Sequence, residues 1–151
     1  MSTENQIIRA GDVGLATIPE GCGERANGHA AQTVFADYRS RKADNTLRRQ
    51  RAALALFSEY LVEMGGTAPT GESLSSSPAA WQGVTWGLVE GYRDWLIVRG
   101  CAMGTVNVRL STIKTYAKLA VKVEVIDRLE GMMIGAVEGY SRTEGKRIDE
   151  K

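Results

Sequence analysis

The chain is poor in the residues that build metal and redox centres. It holds one histidine, His29, and two cysteines, Cys22 and Cys101, far apart in the sequence. That set is too small and too scattered for a zinc site, so no metal and no cofactor is expected. With no sign of export, the two cysteines read as free thiols of a reducing cytosol rather than as a disulfide. Missing too is any run of roughly 18 consecutive apolar residues, the length a membrane span needs. The N-terminus, Met1 to Asn5, lacks the basic-then-apolar layout of a secretory signal. Charge of one sign is also lacking, because 19 basic residues against 18 acidic ones leave +1. This excludes a uniformly basic protein that holds nucleic acid by charge alone. The expectation is a cytoplasmic chain with no membrane contact.

What is present suits one compact domain: 151 residues, 43% apolar and 25% charged. Residues 1–31 are interrupted by Gly11, Gly14, Gly21, Gly23, Gly28 and Pro19, and read as a flexible arm. From Thr33 the texture changes, and Val34, Phe35 and Tyr38 predict a short helix ending near Ala43. Asn45-Thr46 offers an N-cap for a second helix, whose Leu47, Leu54, Phe57, Leu61 and Met64 are spaced by seven, three, four and three. Gly65-Gly66 ends it. Residues 65–80 (GGTAPTGESLSSSPAA) read as a flexible connection. Thr85 can cap a helix carrying Leu88, Val89, Tyr92, Trp95 and Leu96, stopped by Gly100. Thr105 can cap another, with Val106, Leu110, Ile113, Ala117 and Ala120 on one side. Ile126 to Val137 predicts a last helix weakened by Gly131 and Gly135. Val121 to Val125 alternates, but it is too short and isolated to read as a strand. The chain is therefore expected to be all-α, a small bundle of four to five helices.

The overall charge conceals its distribution. Residues 37–51 hold six basic groups (Arg39, Arg41, Lys42, Arg48, Arg49, Arg51) against Asp37 and Asp44. Residues 104–122 hold Arg109, Lys114, Lys118 and Lys122 with no acid. Arg48, Arg49 and Arg51 fall near a helix start, where the backbone dipole disfavours cations by roughly 0.3–1 kcal/mol each. Tolerance of that cost suggests an anion site made of backbone donors and guanidinium forks. On the helix from Thr105, Asn107, Ser111, Lys114, Lys118 and Lys122 fall within a stripe roughly 80° wide. Donors so spaced can follow a nucleic-acid backbone.

Residues 100–120, GCAMGTVNVRLSTIKTYAKLA, resemble the signature of the core-binding domain of tyrosine recombinases (phage integrases). The matching features are Gly100, Thr105-Val106-Asn107, Arg109-Leu110-Ser111, Ile113-Lys114 and Tyr116. Asn45-Thr46-Leu47-Arg48-Arg49 with Leu54, Phe57 and Tyr60 is similar to the family's other long helix. Thr85 through Trp95-Leu96 is similar to its threonine-led segment ending in Trp-Leu. The resemblance runs from about Thr33 to Lys151.

The resemblance implies a SAM-like helical domain over 32–140, binding double-stranded DNA as half of a clamp, with 141–151 a linker toward a catalytic domain. It implies DNA-facing groups at Thr46, Arg48, Arg49, Thr105, Asn107, Arg109 and Lys114, with Arg51 and Lys118 as further candidates. Arg49 and Arg109 are the ones expected to reach base edges. Gly104 and Val108 stand where some relatives carry polar groups. Lys151 falls about where the family's catalytic domain is expected to begin, so no catalytic residue is expected within the chain. Other recombinase protomers are the further partners implied, and the segment Ile126–Val137 is the place for such a contact. Two other classes compete: a helical protein–protein interaction module, and a stand-alone DNA-binding regulator derived from an integrase.

Other motifs carry less. Gly139 to Arg147 is a residue too long for a phosphate loop and lacks a hydroxyl after Lys146. Met132-Met133 reads as core filler, and the five tyrosines and three tryptophans as packing residues.

Overall fold

The computed structural model describes residues 15–141, and within them six α-helices and no strand. They are α1 (Cys22–Ser40), α2 (Asp44–Gly65), α3 (Gly71–Ser76), α4 (Trp86–Val98), α5 (Met103–Lys122) and α6 (Arg128–Gly135), with a 3-10 turn at Pro78–Trp81. The all-α expectation holds, with more helices than the four to five expected.

Aromatic and aliphatic stripes drive the packing. From α2, Leu54, Phe57 and Tyr60 are buried, and from α4 Val89, Tyr92 and Leu96. From α5, Val106, Leu110, Ile113, Tyr116, Ala117 and Ala120 join the same core. The predicted stripes of these three helices are thus the ones that meet, except that Met64 at the end of the α2 stripe is exposed because the helix runs past the bundle there. Phe35 of α1 sits edge-on to Tyr116 at 5.1 Å, which docks α1. Thr85 caps α4 as expected, its side chain accepting from Leu88 N–H.

Four expectations need correction. Helix α1 starts at Cys22, so residues 22–31 are helical and not part of an arm. Ala26, Ala30 and Ala31 favour helix strongly enough to carry Gly23 and Gly28 on an exposed stretch. Neither expected cap acts at the start of α2 or α5. These helices begin earlier, with Ala43 and Ala102 as the flanking residues and no side-chain cap. Arg48 and Arg49 consequently lie beyond the first turn of α2, where the helix dipole has faded. Asp44 occupies that first turn instead.

Residues 65–80 are not a loose connection. Thr70 caps α3 by accepting from Ser73 N–H at 3.1 Å. At Gly71 a Cβ would stand 3.0 Å from the Ala55 backbone, so glycine lets α3 lie directly on α2. Leu74 and Trp81 are fully buried, and Trp81 Nε1 donates to Leu74 O at 2.8 Å. Two apolar residues, placed by short helical turns, decide the matter against a Ser- and Gly-rich composition.

The fourth correction concerns α6. It buries Ile134, while Leu129, Met132 and Met133 are exposed. The methionine pair is therefore surface, not filler. Trp86 is also 40% exposed, in contrast to Trp81. The alternating Val121–Val125 segment closes α5 as a turn. Glu124 takes φ 65°, while Val125 N–H donates to Ala120 O and Glu124 N–H to Val121 O. This pairing is the helix-ending Schellman pattern, usually served by glycine, as at Gly100 after α4.

If Trp81 holds the core, Trp81→Ala should lower unfolding free energy by about 3–5 kcal/mol in a denaturant titration. A loss below about 1 kcal/mol would show that the 65–81 segment is only loosely attached.

Candidate nucleic-acid interface

Because Phe57, Tyr116 and their neighbours hold α2 against α5, the N-terminal halves of these two helices border a groove of about 390 Å³. Its walls are Thr46, Arg49 and Gln50 from α2, with Asn107, Val108, Ser111, Thr112 and Thr115 from α5. The Thr112 and Thr115 hydroxyls donate back to their own helix, at Val108 O and Ser111 O. Arg49 is exposed and makes no ion pair among the described residues. At the groove floor, buried Gln50 donates from Nε2 to the Tyr38 hydroxyl at 2.9 Å. Its Oε1 has no partner, which leaves a buried acceptor at a cost of roughly 1–3 kcal/mol unless a donor reaches it.

The predicted site residues divide into three sets. Thr46, Arg49 and Asn107 line this groove. Lys114 lines an adjoining one of about 460 Å³ together with Asn107, Leu110, Ser111, Glu138, Gly139, Tyr140 and Ser141. Lys118 is exposed one turn further along α5, continuing the stripe. Arg48 points outward, its guanidinium donating to Asn45 Oδ1 at 2.9 Å, and Thr105 is exposed near the start of α5.

Arg51 and Arg109 do not join them. Arg51 lies on the opposite flank of α2, beside Arg39, Leu47 and Tyr116. Arg109 is half-buried and turned toward the end of α4, donating to Cys101 Sγ at 3.3 Å. Its charge also acts on the buried Tyr92 hydroxyl, whose pKa is raised chiefly by desolvation. On a helical wheel Arg109 falls far from the Asn107–Lys118 stripe, so base-edge contact there meets no geometric support.

Asn107 is engaged within the chain. Its Nδ2 donates to Tyr140 O at 3.0 Å, and its Oδ1 accepts from Tyr140 N–H at 2.9 Å. Both ends of the amide are thereby occupied by the backbone of the segment 137–141. Three further contacts fasten the same segment. Tyr140 donates its hydroxyl to Asp94 at 2.9 Å, Arg93 donates to Glu138 O at 2.8 Å, and the Arg93 guanidinium lies 5.4 Å from the Tyr140 ring centre. Burial, then the bond to Asp94, raises the Tyr140 pKa, so the hydroxyl remains a donor at neutral pH. A Cβ at Gly139 would meet Asn107 Oδ1 at 2.4 Å, so this close approach requires glycine.

Sequence reasoning missed Gln50 and the clamp. A signal for Gln50 existed: the stripe jumps seven residues from Leu47 to Leu54, and the missing inward position is 50. Nothing local marked the pairing of Asn107 with a segment 33 residues away. No group of His, Cys, Asp and Glu among the described residues could hold a metal ion. No helix among them is long and apolar enough to cross a membrane.

Residues 29–130, more than half of the chain, match the family model of the phage integrase SAM-like domain. Comparison with curated proteins gives no match, and neither does comparison with solved structures. The match covers α2 to α5 entirely and stops before the clamped segment.

Asn107→Ala should free Tyr140 from its two backbone bonds. The expected result is a loss of about 1–2 kcal/mol in stability and about tenfold faster amide exchange at Tyr140. Unchanged exchange would show that the clamp does not hold the segment.

Proposed function

The chain belongs to the phage integrase SAM-like domain family, and from that membership we propose that it is the DNA-binding, non-catalytic domain of a tyrosine recombinase. The observation that carries this reading is a row of cations without ion-pair partners on the face that α2 and α5 share, Arg49 and Lys118 exposed and Lys114 half-buried. Arg49, Lys114 and Lys118 have no ion-pair partner among the described residues, and Thr46 and Ser111 stand between them with hydroxyl groups. Such a row matches a phosphodiester backbone better than an isolated small anion. Phosphate contacts set register and affinity. In this reading Arg49, which lines the groove and is exposed, is the group that reaches a base edge.

In this reading the domain grips one half-site of a recombination site in the cytoplasm. Strand exchange would rest on a separate catalytic domain. Thr105 and Arg48 contribute at the edge of the contact, while Asn107 acts by fixing the exit segment beside Lys114. The exposed apolar stripe Leu129, Met132 and Met133 on α6 supports a second contact, with another protomer bound to the same DNA. That stripe is also what a helical protein-interaction module would use, and a stand-alone regulator would share the DNA groove.

Titrating duplex DNA binding against salt separates the two DNA-binding readings from the protein-interaction module. Four to five phosphate contacts predict a log–log slope of about −4. Arg49→Ala should weaken binding of all duplexes and reduce the slope by about one, whereas Arg109→Ala should leave the slope unchanged. A flat salt response, or no binding at low salt, contradicts DNA binding.

A further inference from the structure

A further cavity, of about 520 Å³, lies on the far flank of α2 from the groove, where α1, α2, α3 and α5 meet. Arg39 and Arg51 enter it from α1 and α2, and Ser75 and Ser76 from α3. Tyr116 of α5 forms part of its wall. The Tyr116 side chain is 1% exposed, yet its hydroxyl has no hydrogen-bond partner among the described residues. The hydroxyl is not sealed from solvent, since Gln50 Oε1 is the one fully buried side-chain atom without a partner among the described residues, so a ligand oxygen at the cavity can take the place of solvent there.

The electrostatics agree with the geometry. Burial raises the Tyr116 pKa, while Arg39 and Arg51 both act in the opposite direction, so both guanidiniums lie close enough to influence its oxygen. Arg39 donates one guanidinium N–H to Ser75 O, which fixes its direction. Arg51 is exposed and unpaired among the described residues. The one carboxylate at the rim, Glu72, forms no ion pair with either arginine among those residues. Neither arginine has a carboxylate partner among the described residues, so both are open to an anion entering the cavity.

We propose that this cavity is an oxyanion site in which Arg39, Arg51 and the Tyr116 hydroxyl together bind a phosphate group. Guanidinium forks suit a tetrahedral oxyanion, and the phenol supplies a third donor from the buried side. The phosphate has two possible sources, a DNA backbone passing that flank of α2 or a free phosphate. The site is separate from the α2–α5 groove, so it does not depend on the DNA-binding reading.

The test uses inorganic phosphate with the intact chain, against sodium chloride at matched ionic strength. Phosphate should bind saturably with a dissociation constant on the order of 1 mM. At tenfold excess over that constant the Tm should rise by about 3–6 °C relative to chloride. Arg51→Gln removes a surface charge without touching the core, and Tyr116→Phe keeps the ring while removing the hydroxyl. Each should weaken phosphate binding roughly tenfold, with amide shifts at Ser75 and Ser76 lost in parallel. Equal stabilisation of the wild type and R51Q by phosphate would reflect general salt exclusion and overturn the proposal.

A duplex-binding arm then assigns the source. If R51Q also weakens duplex binding and cuts the salt slope by about one, the phosphate is that of DNA. If R51Q loses the phosphate response with duplex binding unchanged, the ligand is a free phosphate. Both results support the site, and neither is affected if the groove itself proves not to bind DNA.

Discussion

Trp81 lies between two rings, stacked on Tyr116 at 6.2 Å and 7° and on Phe57 at 5.7 Å and 21°. Phe57 belongs to α2 and Tyr116 to α5, so the indole is a spacer that sets how far apart these helices run. Its own position is fixed by the bond from Nε1 to Leu74 O. On the other side of Phe57, Tyr92 packs edge-on at 5.0 Å and donates to Ala53 O, tying α4 to the same column. The groove at the N-terminal ends of α2 and α5 and the cavity beside Tyr116 both inherit their width from this stack. Rings of this size contribute most of the buried apolar area in a small domain, so the polar surfaces are built around them.

The sequence made the long helices legible because each carries enough buried residues to show a helical period. Leu54, Phe57 and Tyr60, or Val106, Leu110 and Ile113, state their face without help from the fold. Trp81 and Leu74 were not legible in this way. They are single apolar residues in a segment whose composition suggests a linker, and their burial depends on α3 being only six residues long and lying against Ala55. The start of α1 was obscured for the opposite reason, since glycines interrupt a helix that buries only Phe35. On α6 the period was visible but its direction was not. The sequence cannot show which side of a short amphipathic helix meets the bundle, and the methionines fall outside.

The basic stripes were legible as charge, while the side chains' partners were not. The basic stripe of α5 from Lys114 to Lys118 stands where its period places it. Arg109 carries the same charge but lies some way round the helix, and the sulfur of Cys101 gives it a partner. Asn107 sits at the head of the stripe, yet its amide is committed to the Tyr140 backbone. A polar residue on a basic face can serve the nucleic acid or the chain's own exit path, and only the contact 33 residues away distinguishes them. The result is a division of labour between neighbouring helices: Asn107 of α5 and Arg93 of α4 hold the departing segment, and Lys114 and Lys118 of α5 have no ion-pair partner among the described residues.

The central claim is that the surface shared by α2 and α5 receives the DNA. Backbone amide shifts of the chain titrated with a short duplex test it most directly. The account predicts that the largest changes cluster at Thr46, Arg49, Ser111, Lys114 and Lys118, with the exposed face of α6 undisturbed. Changes centred instead on Leu129, Met132 and Met133, with the groove silent, would contradict it.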